Sequence, residues 1–382
     1  MENNKKLNRG EWAEFYVLLK LLGDGKLYAA NKLLQKNYQN YLDIIQIIRQ
    51  ETKSPIIEYN VDKNRGIVII SESETKKILT ELPMDLFNKQ ANILMQSIKT
   101  ETGMSIAVHQ SVYDFAKVIY VNSPKAPAVK SLTKKFGGKS DIFIQIRDPQ
   151  TSLVSLMGFS IKSKFSDPST LFNAGTTSQF MFEMIGLNDD LMEKFNEIKD
   201  PNTNHRGWRM CKQFLTDNEI GLKFTGTKYQ IYNDNLNLIR ENMDSILAWC
   251  VKDRLIDSDG DTGVMETVGR LINKNPMKVS NPDVLYKKVI KDFLIAGFTG
   301  MTAGKAWDGS EDVNGGYICV LENGDVVCYH SNDRESFRDY LYRNTFFEYV
   351  STDKYKWGFI EKNNGKYYLP LNISIRFRKN TR

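Results

Sequence analysis

Acidic residues are missing from one long stretch of this 382-residue chain. None falls between Asp114 and Asp141, where Lys117, Lys125, Lys130, Lys134, Lys135 and Lys139 all stand. Histidine is scarce: His109, His205 and His330 are the only 3. The Asn204-His205-Arg206 stretch lacks the second histidine that a histidine-based metal nuclease needs, so a surface loop is expected there. Four cysteines (Cys211, Cys250, Cys319, Cys328) show no C-x-x-C spacing, which excludes a zinc ribbon and gives no disulfide framework. Small buried thiols in a reducing cytoplasm are expected instead. No Gly-x-Ser-x-Gly elbow offers a serine hydrolase its nucleophile. No apolar run reaches the roughly 20 residues of a membrane span, and Met1 to Lys6 leads into no signal-peptide core. Around "GMTAGKA", Thr299 occupies the first glycine position of a phosphate loop and Ala306 the position of its magnesium-binding hydroxyl, so a P-loop is excluded.

What is present points to a folded chain of more than one unit. Hydrophobic residues make up 41% and charged residues 26%, enough for a real core, and the length suggests two or three packed units. The net charge of +6 is mild. Its clustering matters more. The lysine-rich stretch, and Arg376, Arg378, Lys379 and Arg382 at the C-terminus, would suit a phosphate backbone, because each contact releases condensed counterions. A solvated surface is the plain alternative.

Apolar spacing makes the segment Arg9 to Lys36 read as helix, with Trp12, Phe15, Tyr16, Leu18, Leu19 and Leu22 on a wide face and a break at Gly23-Asp24-Gly25. Asn40 to Gln50 reads as helix or strand. Strands are expected at Ile56 to Tyr59 and Gly66 to Ile70, then helices at Glu72 to Glu81 and Met84 to Thr100. Alternation at Ile142, Ile144 and Ile146, a turn at Asp148-Pro149-Gln150-Thr151 and an apolar run from Leu153 predict a hairpin. A helix from about Thr177 to Ile185 and a mainly helical middle follow. Near the C-terminus come a helix at Val284 to Gly297, a hairpin with Asn323-Gly324 in a type I′ turn, a helix at Arg334 to Asn344 and a final strand. The class is α+β. Expected regions are 1–188 (helices and core), 189–283 (helical middle) and 284–382 (α+β, DNA recognition).

In that first hairpin the start of one strand lies beside the end of the other, so Asp141 and Lys162 should be neighbours. A strand-edge carboxylate holds magnesium through hard oxygen ligation. A nearby lysine orients or deprotonates the attacking water and offsets charge. The pair suits metal-dependent phosphodiester hydrolysis. It resembles the PD-(D/E)xK nuclease core, a mixed sheet flanked by helices. Ser140 replaces the proline of that pattern, and Ser160 replaces its second acid, which removes a metal ligand. Glu14 is the preferred substitute, because a carboxylate on an apolar helix face should not be buried unless it binds something. Glu11 reads as a helix-start acid. Glu183 is the rival donor, and a half-exposed surface carboxylate is the plain account of Glu14. Ser160 would assist by hydrogen bonding.

"GEWAEFYVLLKLL", "GFSIKSKFSDPSTLFNAGTTSQFMFEMIG", "GMTAGKAWDG", "GGYICVLENGDVVCYH", "RDYLYRNTFFEYVST" and "LNISIRF", in this order, resemble the HpaII family of type II restriction endonucleases. Asp189 to Asp283 has no counterpart in that resemblance. It implies magnesium-dependent double-strand cleavage within CCGG by a cytoplasmic enzyme acting on double-stranded DNA. It implies a cognate methyltransferase encoded nearby, no membrane, and room for a homodimer. The catalytic set would be Asp141, Lys162, Glu14 and Ser160, with Asp141 and Glu14 on the metal. Lys134, Lys135, Lys139, Asn173, Thr177, Gln179, Arg334, Arg338 and Arg343 are the expected DNA contacts. A helix cap explains Thr177 equally well. The competing class is a non-catalytic DNA-binding protein on a degenerate nuclease fold.

Overall fold

The Asn8 side chain accepts from the Glu11 N–H while the Glu11 carboxylate accepts from the Asn8 N–H, a capping box that starts the helix Arg9–Asp24. Glu11 thus serves the helix start, as expected. Gly25 (φ 61°) ends the helix in the left-handed region. Beyond it the chain turns to strand, and Trp12, Phe15, Tyr16, Leu18, Leu19 and Leu22 are all buried. The computed structural model describes residues 7–378 apart from 32, 52–53, 102, 104, 124–139, 166–169, 203–205, 311–314 and 331–333, and only the backbone of Arg334. Lys134, Lys135 and Lys139 lie outside the described residues, as do Lys379 and Arg382. Two compact units emerge, one from Met1–Ser169 with Glu311–Tyr340, the other from Thr170–Ser310 with Leu341–Arg382.

The first unit holds a nine-stranded mixed sheet in the order Lys26–Ala30, Val326–His330, Gly316–Val320, Val154–Ser163, Ile142–Arg147, Lys36–Gln50, Ile56–Asp62, Ile67–Glu72, Ile78–Pro83. Lys26–Ala30 also pairs with Lys36–Gln50, so the first six strands close into a ring. Closure was not expected from the sequence. Its device is the 15-residue strand Lys36–Gln50, whose ladders shift register at Tyr28/Ala29 and Ile44/Gln46. Irregular register of this kind bends a strand and raises its twist. The first helix packs on Val154–Ser163 and on Met84–Thr100, and its apolar side chains join Ile44, Ile47, Ile144 and Phe159 in one core.

Glu72 to Glu81, expected as helix, is instead a turn with Lys76 at φ 55° followed by the strand Ile78–Pro83. Asn40 to Gln50 is strand. The Gly316–Val320/Val326–His330 hairpin forms as expected, but not through a two-residue type I′ turn. Leu321 and Asp325 still bond, and the Gly324 N–H donates to Leu321 O at 2.9 Å. Only Gly324 takes positive φ, at 97°. The loop is therefore three residues, Glu322-Asn323-Gly324.

The second unit contains the antiparallel sheet Gly221–Thr227, Gln179–Ile185, Lys366–Asn372, Glu361–Asn363 and a smaller sheet of Thr170–Phe172, Ile375–Phe377 and Thr345–Phe347. The helix expected at Thr177 to Ile185 is thus a strand. Phe180, Phe182 and Met184 are buried, a period of two, and both strand edges are paired. Helices dominate Asp189 to Lys274 as expected, interrupted by Gly221–Thr227. All four cysteines are buried free thiols. No helix among the described residues is long and apolar enough to cross a membrane.

Candidate active site

Ile142 pairs with Phe159 in the antiparallel hairpin, which sets Asp141 opposite Ser160. The Asp141 N–H donates to Phe159 O at 2.8 Å, extending the ladder by one bond. Its carboxylate is fixed from the partner strand: Oδ2 accepts the Ile161 N–H at 2.7 Å and the Ser160 hydroxyl at 3.1 Å. The other oxygen, Oδ1, accepts no hydrogen bond from the described residues. Lys162 is two residues beyond Ser160 on the same strand, hence on the same face, about 7 Å further along. The ladder therefore brings Asp141, Ser160 and Lys162 together on one face.

Close approach here depends on Gly158. A Cβ at that position would collide with Ser140 Oγ and sit 3.0 Å from the Phe143 ring. Ser140 is itself buried. The absence of a side chain at Gly158 lets the residue before Asp141 lie flat on the neighbouring strand.

Arg49 is the polar residue that sequence reasoning missed. Ile48 pairs with Phe143, which places Arg49 beside Ile142 at the Asp141 end of the sheet. Arg49 is 6% exposed. Its guanidinium donates to Ser123 O and lies 3.5 Å from Glu51 Oε1. That same Glu51 oxygen accepts the N–H groups of Asn122 (2.8 Å) and Ser123 (3.1 Å). Burial pulls the Arg49 pKa below the ordinary guanidinium range, while Tyr59, Glu51 and Glu14 oppose the shift. Glu14, half-buried on the first helix, thus acts on a cation whose strand neighbour adjoins Asp141. The signal was available: a basic residue inside "IIQIIRQ" breaks an apolar run as Glu14 breaks its helix face.

Glu183 is on a strand of the second unit, 2.9 Å from Lys366. Gln179 is 1% exposed, and its amide donates to Tyr355 O and Lys356 O at 2.9 and 3.1 Å. It is an internal packing residue, so the expected DNA contact is not open to it. Asn173 is exposed and Thr177 half-buried. Arg338 and Arg343 share the helix Arg334–Asn344. Arg338 lies 3.9 Å from Glu335, and Arg343 is exposed. Arg376 pairs with Glu348 (3.0 Å) and Arg378 with Asp261 (2.7 Å) and Glu266 (3.0 Å), which ties these C-terminal cations into the second unit. No group of three or more His, Cys, Asp or Glu suited to a metal occurs among the described residues.

No solved structure matches the chain. It is 32% identical over 376 residues to the type II restriction enzyme HpaII of Haemophilus parainfluenzae, an alignment covering 97% of this chain and 98% of that one. Residues 8–377 match the family described as HpaII restriction endonuclease. That span takes in the first helix, the Asp141–Lys162 hairpin and the final strand. The chain belongs to the HpaII restriction endonuclease family and is a type II site-specific deoxyribonuclease.

Proposed function

We propose that this enzyme makes double-strand cuts within CCGG by magnesium-dependent hydrolysis, on a nuclease core of the PD-(D/E)xK kind. The observation that carries the proposal is the Asp141 carboxylate, clamped through one oxygen against Ser160 and Ile161 on the face that Lys162 shares. The donor chemistry fits a hard cation: Asp141 Oδ1 accepts nothing from the described residues, and Glu14 is a second carboxylate for the same end of the sheet. Magnesium is commonly held by one or two carboxylates together with water and phosphate oxygens, so a cluster of three protein acids is not required. When bound, the ion supplies Lewis acidity at the phosphate and a more acidic water.

The residues of the chain do the rest. Asp141 and Glu14 would supply carboxylate oxygens to the ion, and Ser160 fixes the rotamer of Asp141. The Lys162 ammonium orients the attacking water and offsets charge as the phosphate becomes more anionic in the transition state. Arg49 offsets the negative charge of Glu51 and Glu14 at the Asp141 end of the sheet. Asn173, Thr177, Arg338 and Arg343 contact DNA, with the phosphate backbone the first target of such side chains. CCGG is a palindrome, so a twofold homodimer would meet both strands equally. A methyltransferase acting on the same sequence is the genetic partner, and the cytoplasm the place of action.

Incubating the protein with DNA containing CCGG, with and without magnesium and with the site methylated or bare, tests the reading. Cutting only of bare CCGG in magnesium is expected. Intact DNA at micromolar enzyme, with manganese also tried, would leave a DNA-binding protein without catalysis. Equal cutting of methylated and bare sites would point to another sequence.

A further inference from the structure

The segment around "GMTAGKA" fails as a P-loop, yet the second unit holds it with unusual care. Asn235, on the helix Gln230–Ile239, is 2% exposed. Its Nδ2 donates to Thr302 O and Lys305 O, both at 2.8 Å, and its Oδ1 accepts the Trp307 N–H at 3.0 Å. One buried amide therefore fixes three backbone positions of a surface loop. The neighbouring turn is held in the same way. Ser178, fully buried, accepts the Gly175 N–H at 2.8 Å and donates to Asn372 Oδ1 at 2.7 Å, while Asn372 Nδ2 donates to Gly175 O at 2.9 Å.

These two loops meet. A Cβ on Gly304 would stand 3.2 Å from Thr177 Oγ1, so the glycine lets the Thr177 hydroxyl lie directly against the loop backbone. Lys305, the next residue, is exposed and makes no ion pair among the described residues. Asn173 and Thr176 are exposed on the facing turn. The acid in the loop, Asp308, is engaged locally: its Oδ1 accepts the Ser310 N–H at 2.9 Å and the Ser310 hydroxyl at 2.5 Å. What remains outward is rich in donors: an ammonium, two hydroxyls and an amide.

We infer that the corner formed by Thr302–Ser310 and Asn173–Ser178 is a preformed clamp for a DNA phosphodiester, with Lys305 supplying charge, Thr177 a hydroxyl, and Asn235 holding Lys305 in place. This inference rests on the endonuclease reading above and adds Lys305 and Asn235 to it. Pinning matters because an immobilised loop loses less conformational freedom when it grips its ligand. A phosphate grip carries no sequence information, so it should act alike on any duplex.

The test is a gel-shift titration of the full chain on a CCGG duplex and on an unrelated duplex, with calcium replacing magnesium, from 50 to 200 mM salt. Lys305→Ala should weaken binding about tenfold on both duplexes and lower the salt slope by about 0.9, the loss of one phosphate contact. Lys305→Arg should retain the parent slope. Thr177→Val should weaken binding without changing the slope. Lys287→Ala is the control, since Lys287 is already paired with Asp283 at 2.6 Å, and should match the parent. Lys305 is exposed, so its truncation should leave the melting temperature unchanged. A parent that binds while Lys305→Ala matches it in affinity and slope overturns the inference alone. A parent that neither binds nor cuts either duplex overturns the endonuclease reading and this inference with it.

Discussion

Asp141 is held by a β-ladder, whereas Thr177 and Lys305 are held by loops whose shape is set by buried Asn and Ser side chains. In the first unit the polar group sits at the end of a strand, and the partner strand supplies both hydrogen bonds that orient it. In the second unit the loops lie outside the ladders, so Asn235, Ser178 and Asn372 do the positioning. A ladder fixes a side chain tightly, because a slip of one residue would flip every neighbour to the other face. That suits a group whose distance from a reacting atom matters. A pinned loop tolerates more give, which suits contacts to a repetitive phosphate chain. Substitutions in the first region should therefore change rates, and those in the second should change affinities.

The sharpest way to break this contrast is Asp141→Ala. Loss of the clamped carboxylate would remove the proposed metal ligand, and cleavage should fall by about 1,000-fold or more. Duplex binding in calcium should also weaken, since that ion shares the ligand; full binding together with full cleavage would undo the assignment. Glu14→Gln keeps the shape and removes the charge. The magnesium concentration for half-maximal rate should rise at least ~10-fold, the low end for losing a group that supports a bound metal. An unchanged magnesium titration would remove Glu14 from the metal. Arg49→Met keeps volume but leaves Ser123 O without its donor and Glu51 without its cation. A loss of about 2–3 kcal/mol is expected from the denaturant midpoint. A midpoint equal to the parent's would mean that Arg49 holds nothing. The smallest effect belongs to the helix Arg334–Asn344: Ala at both Arg338 and Arg343 should flatten the salt dependence of binding and leave single-turnover cleavage of bound DNA unchanged. A slower chemical step there would erase the division of labour.

The hairpin that carries Asp141 and Lys162 was legible because its signals are local: alternating isoleucines, an Asp-Pro turn and a polar residue at each edge. The first helix and its break at Gly25 were legible for the same reason, but the segment beyond the break, read as helix up to Lys36, holds the strand Lys26–Ala30. Strand Gln179–Ile185 was misread because "QFMFEMI" is short and apolar enough to fit either period, and only pairing on both edges decides it. Ring closure was invisible, since it depends on one long strand meeting Lys26–Ala30 across a bulge. Gln179 looked like a DNA contact because a polar residue past the Asp141–Lys162 hairpin is normally exposed; here two carbonyls of a segment distant in sequence draw it inside. Arg49 was overlooked although it obeys the rule that singled out Glu14. A charge inside an apolar run needs a partner, and Glu51 lies only two residues further on.

Lys162→Met tests the central claim most directly, because it separates chemistry from binding within one residue. Methionine keeps much of the aliphatic volume, so the strand should still pack. Single-turnover cleavage of a CCGG duplex in magnesium should fall at least ~100-fold, in line with other positioned proton-transfer groups. Binding of the same duplex in calcium should stay close to that of the parent. A Lys162→Met protein that cuts at the parent rate would contradict the account.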